Sequence, residues 1–182
     1  MEVLRRLTAL VAMAMLLASS VCSAASEYEV KAVFLFNFSH FVEWPAAAFP
    51  GPDAPFVIGV FGHDPFGSGL DEAARGETIN GRPLVVRRVS DVDGAAGCQI
   101  LFMHRSEEAR MREVLGALDH RSTLTVSDLA DAGERGVMIA LATENNRIRL
   151  RVNVDSARAA RLTISSKLLR SAEIVAATAD GG

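Results

Sequence analysis

The sequence predicts an α/β fold: a mostly parallel, layered sheet with helices on both faces and an antiparallel hairpin at one edge. Two apolar runs, residues 56–61 and 98–103, have the composition of strands that are covered on both faces. Each run is followed by a segment that begins with helix-capping residues, and strands that alternate with helices are typical of a layered α/β sheet. A length of 182 residues favours a single domain.

The first element of the mature chain is predicted to be a buried helix. Ser26 and Glu29 form a capping-box pattern, in which each side chain satisfies a free backbone N–H group at a helix start. Apolar side chains then recur at steps of three and four residues as far as Phe41. Pro45 pushes the residue before it out of the helical region, so Trp44 should lie at or just past the helix end.

The next segment predicts one β-α-β unit. The strand 56–61 leads into the loop Gly62–Gly67, where Asp64 suits a helix N-cap and Pro65 suits the first helical position. A helix over 65–75, a turn at Asn80-Gly81 and a strand over 83–89 complete the unit. A parallel crossover is the natural interpretation.

The same order returns in the second half of the chain. The strand 98–103 precedes a helix that begins at Ser106-Glu107-Glu108 and ends near Leu118, and a strand over 122–126 follows. Residues 137–142 and 147–152 predict an antiparallel hairpin at a sheet edge. The chain closes with helical patterns over 155–160 and about 165–175. We therefore expect a single domain over 26–176 and a disordered tail over 177–182.

The amino terminus predicts export. Arg5 and Arg6 precede an uncharged apolar run over 7–17, and Ser23-Ala24-Ala25 resembles a cleavage site with small residues. The run is short of the roughly 20 apolar residues that a membrane helix needs. We expect a signal peptide over residues 1–25 that is cleaved near Ala25, with no stable membrane insertion after processing.

Charge and cysteine content limit the classes of function that this chain can have. Loss of Glu2, Arg5 and Arg6 lowers the basic residues from 19 to 17 and the acidic residues from 22 to 21, a net charge of −4. Nucleic-acid binding is disfavoured, because phosphate contacts require basic clusters. Cleavage also removes Cys22 and leaves Cys98 unpaired. A small buried thiol is the favoured interpretation of Cys98, since no basic residue adjoins it in sequence to lower its pKa.

Catalysis and cofactor binding are not predicted. His40, His63, His104 and His120 lie in no catalytic motif, and their scatter argues against zinc. His63 and His104 do follow two central strands, where a parallel sheet usually places ligands. A pocket that held both of them with a carboxylate would favour an enzyme.

Three groups of residues are candidates for contact with a ligand or partner. The loop after the first strand offers free N–H groups to an anion, although its spacing matches neither nucleotide-binding glycine motif and the turn alone explains it. The first helix carries a polar-aromatic strip, and the last helix begins with two hydroxyl groups and a lysine, for which helix capping is the simpler role. The candidates are Asn37, His40, Trp44, His63, Asp64, Phe66, Ser165, Ser166 and Lys167.

Five segments also carry a resemblance to a known family, in the same order along nearly the whole mature chain. They are residues 29–38 with 41–45, 58–60 with 64–67, 80–84, 98–102 and 164–169. By these segments the chain resembles the YfiR-like (HmsC-like) family of exported regulators.

The resemblance implies an α/β sandwich with a Rossmann-like sheet and a homodimer. It also implies a periplasmic protein that binds the periplasmic part of an inner-membrane diguanylate cyclase, represses it, and so lowers cyclic di-GMP and biofilm formation. Paired cysteines whose redox state affects repression are known in the family, and this chain keeps only Cys98. The rival hypothesis is a periplasmic module that binds a small ligand and signals through another membrane sensor, such as a histidine kinase.

Overall fold

The computed structural model describes residues 21–178, with side chains from residue 27 onward. Most of the predicted signal peptide and residues 179–182 of the predicted tail lie outside the described residues. The α-helices of the described part are α1 (Val21–Phe41), α2 (Gly69–Ala74), α3 (Val92–Ala95), α4 (Glu108–Ala117), α5 (Val154–Ala159) and α6 (Ser166–Leu169). Short 3₁₀ turns cover Ala46–Ala48 and Arg105–Glu107.

The strands of residues 21–178 form one large sheet and one small one. They are β1 (Val42–Glu43), β2 (Phe56–Phe61), β3 (Thr78–Ile79), β4 (Arg82–Val89), β5 (Ile100–Met103), β6 (Leu124–Ser127), β7 (Ile139–Glu144), β8 (Arg147–Asn153), β9 (Thr163–Ile164) and β10 (Glu173–Val175). The large sheet has the order β10-β8-β7-β6-β5-β2-β4-β3, and β1 pairs with β9 separately.

The centre of the large sheet is parallel, as the sequence predicts. Strands β4, β2, β5, β6 and β7 all run the same way, while β8 is antiparallel to β7 and β3 is antiparallel to β4. The parallel pairing of β2 with β4 confirms the β-α-β unit. Asn80 and Gly81 have positive φ angles of 52° and 79°, which the tight turn from β3 to β4 requires.

Two apolar cores cover the two faces of this sheet. Alternate residues of β2 point to opposite faces, so Ile58 and Val60 join one core while Val57 and Phe61 join the other. The first core includes Leu35 and Phe38 of α1, and the second includes residues of α4. The layered α/β sandwich with helices on both faces is therefore confirmed.

The start of the first helix differs from the prediction. The helix runs from Val21 through Ser26, so Ser26 is inside α1 and is not its N-cap. A capping box describes which residues favour a helix start, but it does not prevent the preceding residues from being helical as well. At its other end α1 stops at Phe41, and residues 42–43 leave it as the short strand β1.

The helix predicted over 65–75 begins later, at Gly69. Its N-cap is Ser68 and not Asp64. The side chain of Asp64 accepts a hydrogen bond from the backbone N–H of Phe66, 2.8 Å away, which closes a local turn instead of starting a helix. The positive φ angle of Gly67, 55°, belongs to the same turn.

The end of the chain departs most from the prediction. The helix predicted over about 165–175 ends at Leu169, and residues 173–175 form β10, which pairs in parallel with β8. The antiparallel β7–β8 hairpin is present as predicted, but β10 covers its outer side, so the hairpin is not at the sheet edge. Thr178 donates its N–H to the carbonyl of Glu134.

Candidate functional site

The candidate site lies at the carboxyl ends of the central parallel strands. From β2 the chain passes to β4 on one side and then back across to β5 on the other. Ligands of parallel sheets usually bind where the strand order reverses in this way. The segments that follow β2, β5 and β6 meet here, and the amino-terminal end of α1 packs over them through Tyr28.

Asp128, directly after β6, is the centre of the site. Its side chain has no exposed surface. One carboxylate oxygen accepts the backbone N–H of Arg105 at 2.7 Å, and the other accepts Arg105 Nε at 3.0 Å and the hydroxyl of Tyr28 at 2.8 Å. Charge-assisted bonds of this kind are stronger than neutral ones. Asp128 therefore ties the loop after β5 to the start of α1.

Lys31 completes the ionic part of the site from α1. Its side chain is also fully buried, and its ammonium group lies against the carboxylate of Glu27 and 3.5 Å from Asp128 Oδ2. Glu27 also accepts a hydrogen bond from Thr143 of β7 at 2.7 Å. A buried charge is tolerated only when it is paired, so Lys31 fixes α1 in one position on the sheet. We call Glu27, Tyr28, Lys31, His104, Arg105 and Asp128 the Asp128 cluster.

The protons on His104 follow from its neighbours. Its Nδ1 accepts the backbone N–H of Ser106 at 3.2 Å and lies 2.8 Å from Ser106 Oγ, which can donate to it as well, so we assign no proton to Nδ1. The hydroxyl of Tyr28 lies 3.0 Å from Nε2 and donates its own proton to Asp128. Nε2 therefore carries the hydrogen and donates it to Tyr28. His104 is a neutral imidazole that caps the helical turn starting at Arg105.

The electrostatics of the cluster agree with these assignments. Burial alone would raise the pKa of Asp128, but the bond from Tyr28 and the charges of Lys31 and Arg105 outweigh it and hold that pKa below its ordinary value. Burial, with the bond to Asp128, raises the pKa of Tyr28 to about 12. Burial is also the largest cause that lowers the pKa of His104.

The arrangement brings together the two strand-end histidines and a carboxylate. The rings of His63 and His104 are 4.8 Å apart, and His104 Nε2 is 3.8 Å from Asp128 Oδ2. Ser106 Oγ lies 2.8 Å from His104 Nδ1, but the same nitrogen already accepts the Ser106 N–H, so it caps the turn and is not a free base. Cavities of about 870, 370 and 170 Å³ are lined by other residues. The contacts of the Asp128 cluster hold the start of α1 on the strand ends, and we call this arrangement the clamp.

The loop Gly62–Gly67 is already occupied by a carboxylate of the same chain. A Cβ atom at Gly62 would fall within 2.3 Å of Glu107 Oε1, and that oxygen lies 3.4 Å from the N–H of His63. Gly62 has a positive φ angle of 72°, so glycine is needed there for conformation as well as for space. The place where a small anion could sit is therefore filled by Glu107.

Among the side chains of residues 27–178, no group of three or more histidine, cysteine or acidic residues is placed to hold a metal ion. The helices of residues 21–178 include none with the length and apolar character to cross a bilayer.

Comparison with known proteins identifies the family. A family model described as YfiR/HmsC-like matches residues 28–173, which is most of the chain. The protein belongs to the YfiR/HmsC-like family. This family is regulatory and not catalytic, and it is periplasmic. A search of curated proteins gave no significant match.

The predicted residues nearest the Asp128 cluster of this YfiR/HmsC-like protein lie on the loop after β2. His63 is exposed. Asp64 pairs with Arg88 of β4, which also holds Asp71 of α2. Phe66 is buried and packs edge-on against Tyr28 and Phe102, so it helps to fix the position of the Tyr28 ring.

A second set of predicted residues lies at the opposite, amino end of the strands. The backbone N–H of Ser165 donates to the carbonyl of Phe41 at 2.8 Å, which brings the start of α6 next to the end of α1. Ser165 caps α6, accepting the N–H of Lys167. The exposed members of this set are His40, Ser166 and Lys167, while Asn37 and Ser165 are half-buried.

Trp44 has a structural position in this second region. Its indole N–H donates to the carbonyl of Gln99 at 3.1 Å, and its ring packs edge-on against Phe56 with the centroids 4.9 Å apart. The large apolar side chains with most exposure in residues 27–178 are aliphatic, not aromatic: Val30, Val33, Val85 and Ile174.

Cys98 precedes β5 and is buried. Burial raises the pKa of its thiol to about 11, against a small opposite effect of Arg87. A thiol with so high a pKa is a poor nucleophile at neutral pH. The predicted role as a small buried thiol agrees with this position.

The sequence indicates only part of the Asp128 cluster. His104 is a candidate because it follows an apolar strand, and the same signal applies to Asp128 after β6. Lys31 carried a different signal, a charge within an apolar helix and four residues after Glu27. Nothing local marks that Lys31 and Asp128, 97 positions apart, meet in the fold.

Proposed function

We propose that this protein is exported, cleaved near Ala25 and retained in the periplasm, where it binds the periplasmic part of an inner-membrane diguanylate cyclase and represses it. The match of residues 28–173 to the YfiR/HmsC-like family carries the proposal. The basic, apolar and small-residue order of the first 25 residues supports export. Repression lowers cyclic di-GMP and biofilm formation.

Direct contact is the only route that this location leaves open. A folded domain outside the inner membrane reaches cytoplasmic chemistry only through a protein that crosses that membrane. Since the side chains of the Asp128 cluster are paired with one another, a regulatory role through binding suits the molecule better than catalysis. A second copy of the chain as dimer partner is part of the proposal.

The amino-end surface is our proposed contact with the cyclase. It consists of Asn37, His40, Ser165, Ser166 and Lys167, and it joins the end of α1 to the start of α6. Its exposed polar side chains are not needed for the packing of either core. The competing surface is the exposed strand-end loop that carries His63.

A photo-crosslinking experiment in the native host distinguishes these surfaces. A photoreactive amino acid replaces His40 in one variant, His63 in a second, and the exposed turn residue Asn146 in a control variant. We expect the His40 position to crosslink a membrane protein with a cyclase (GGDEF) domain, identified by mass spectrometry, and the Asn146 position to give background. Recovery of a histidine kinase alone would favour the rival hypothesis, and crosslinks only from His63 would move the contact to the other end.

A further inference from the structure

His104 can take up a proton only by giving up a bond that the fold uses. Its Nδ1 accepts the N–H of Ser106, and a backbone N–H cannot reverse to become an acceptor. A proton on Nδ1 would therefore displace the Ser106 N–H, and its only acceptor would be Ser106 Oγ, 2.8 Å away. The side chain is 14 % exposed, so a proton from water can reach it.

Titratable groups face His104 from each element that packs against it. From α1 they are Glu27, Lys31 and the hydroxyl of Tyr28; from the loop after β2, His63; from its own segment, Arg105 and Glu107; and from the loop after β6, Asp128. Burial lowers the pKa of His104 most, Asp128 opposes this, and His63, Arg105 and Lys31 add to the lowering.

We propose that His104 is an acid-sensitive clamp: protonation of its Nδ1 breaks the cap on Ser106 and loosens the grip of the Asp128 cluster on the amino-terminal end of α1. The step moves one proton from solvent to the imidazole and forms or breaks no other covalent bond. It requires no partner protein, so it stands apart from the proposed function.

The loosening reaches α1 through Arg105. This residue follows His104 directly and binds Asp128 through both its backbone N–H and its side chain. When the capped turn shifts, those two bonds shift with it. Asp128 in turn holds Tyr28 and Lys31, which are the anchors of α1.

The sign and range of the effect follow from the pKa directions. Because the pKa of His104 in the folded protein is below 6.5, the loosened state binds the proton more tightly, and acid favours it. The stabilisation is complete above pH 6.5 and declines as the pH falls below that value. The pKa values of Glu27 and Asp128 are themselves lowered, so both stay ionised over the same range.

The chain supplies two built-in probes, because it has one tyrosine and one tryptophan. Ring-labelled Tyr28 reports on the clamp, and ring-labelled Trp44 reports on the far end of α1. NMR spectra of the purified protein are recorded from about pH 7.5 to about pH 5, together with hydrogen exchange of the α1 amides corrected for the intrinsic pH dependence of exchange.

Two histidine variants make the test specific. His104→Asn keeps an oxygen that can cap Ser106 but cannot titrate. His120→Asn is the matched control, since His120 is 89 % exposed and its φ of 61° suits asparagine. The ring nitrogens of His104 are also followed directly in the wild-type protein, which keeps the test decisive if His104→Asn does not fold.

We expect Tyr28 to shift with the titration of His104, and protection of the α1 amides near Tyr28 to fall by about threefold or more while Trp44 stays unchanged. In His120→Asn, the Tyr28 signal and the protection of the α1 amides should depend on pH as they do in the wild type. In His104→Asn, neither should change over this pH range. The proposal is overturned if Tyr28 does not respond in this range, if His104→Asn responds like the wild type, or if His104 titrates without any change in α1.

Discussion

Single residues of the Asp128 cluster hold the amino-terminal end of α1 on the sheet. Lys31 is the clearest case, because a fully buried ammonium group is stable only beside its carboxylates. The cluster leaves no buried side-chain nitrogen or oxygen unpaired among the described residues. Removing one member should therefore cost more than the loss of one exposed ion pair.

We predict that Lys31→Met lowers the free energy of unfolding by about 3 kcal/mol, because Glu27 and Asp128 are left without their buried counter-charge. Lys167→Met, a change of the same kind at an exposed site, should change stability by about 0.5 kcal/mol or less. Urea denaturation of the two variants measures both values. Equal stabilities for the two variants would contradict the account of the cluster.

Asp128 should give the protein an acid-dependent stability at lower pH than His104 does. Its folded-state pKa is lowered, so its stabilisation is present above the ordinary pKa of an aspartate and is lost as the pH falls through the folded value. Asp128→Asn should be less stable near neutral pH and should lose less further stability between about pH 5 and about pH 3. An unchanged slope of unfolding free energy against pH in this variant would show that Asp128 is not the group responsible.

At the level of elements, the fold depends on close packing between β2 and the residues before β5. Gly59 of β2 faces Cys98, and a Cβ atom on residue 59 would meet the Cys98 sulfur at 2.6 Å and a Leu101 methyl group at 3.0 Å. The glycine is therefore a packing requirement, since its backbone conformation is ordinary. This contact gives Cys98 a structural reason to be small.

We predict that Gly59→Ala lowers stability by about 1–3 kcal/mol through overpacking. Cys98→Ala removes the sulfur that the new methyl group would meet, so the double variant should be more stable than the sum of the two single effects implies. A double-mutant cycle by urea denaturation measures this coupling. If the two effects simply add, the side chain that obstructs the methyl group added at position 59 is Leu101 and not Cys98.

How far the sequence predicts these elements depends on how local the signal is. The strand β2 is an apolar run of six residues and the Asn80-Gly81 turn has its own dipeptide signal, so both are as predicted, whereas β5 begins at Ile100, two residues after its predicted start. The strand β10 has only three residues and forms because it can pair with β8 at the edge of the sheet. Its own residues continue a helical pattern, so the sequence predicts a helix there. The Asp128 cluster joins three separate segments, which are the start of α1, the residues after β5 and the residue after β6, and no single segment reveals it.

At the level of the whole molecule, the protein is a layered α/β domain with a candidate functional region at each end of its sheet. The carboxyl end of the sheet holds α1 in place through the Asp128 cluster, and the amino end carries the proposed contact surface for the cyclase. Helix α1 extends from one end to the other, since Tyr28 lies at the first and Trp44 follows at the second. The clamp at His104 and the proposed contact surface therefore share one helix, and the clamp loosens only the end that carries Tyr28.

If the protein regulates a cytoplasmic signal from outside the inner membrane, the level of cyclic di-GMP in the native host must depend both on the gene and on export of its product. The level is measured in a strain without the gene, in one that expresses the full chain, and in one that expresses the chain from residue 26 without its export signal. We predict that loss of the gene raises cyclic di-GMP, that the full chain restores the low level, and that the unexported chain does not. Full restoration by the unexported chain, or no rise on deletion, would contradict the account.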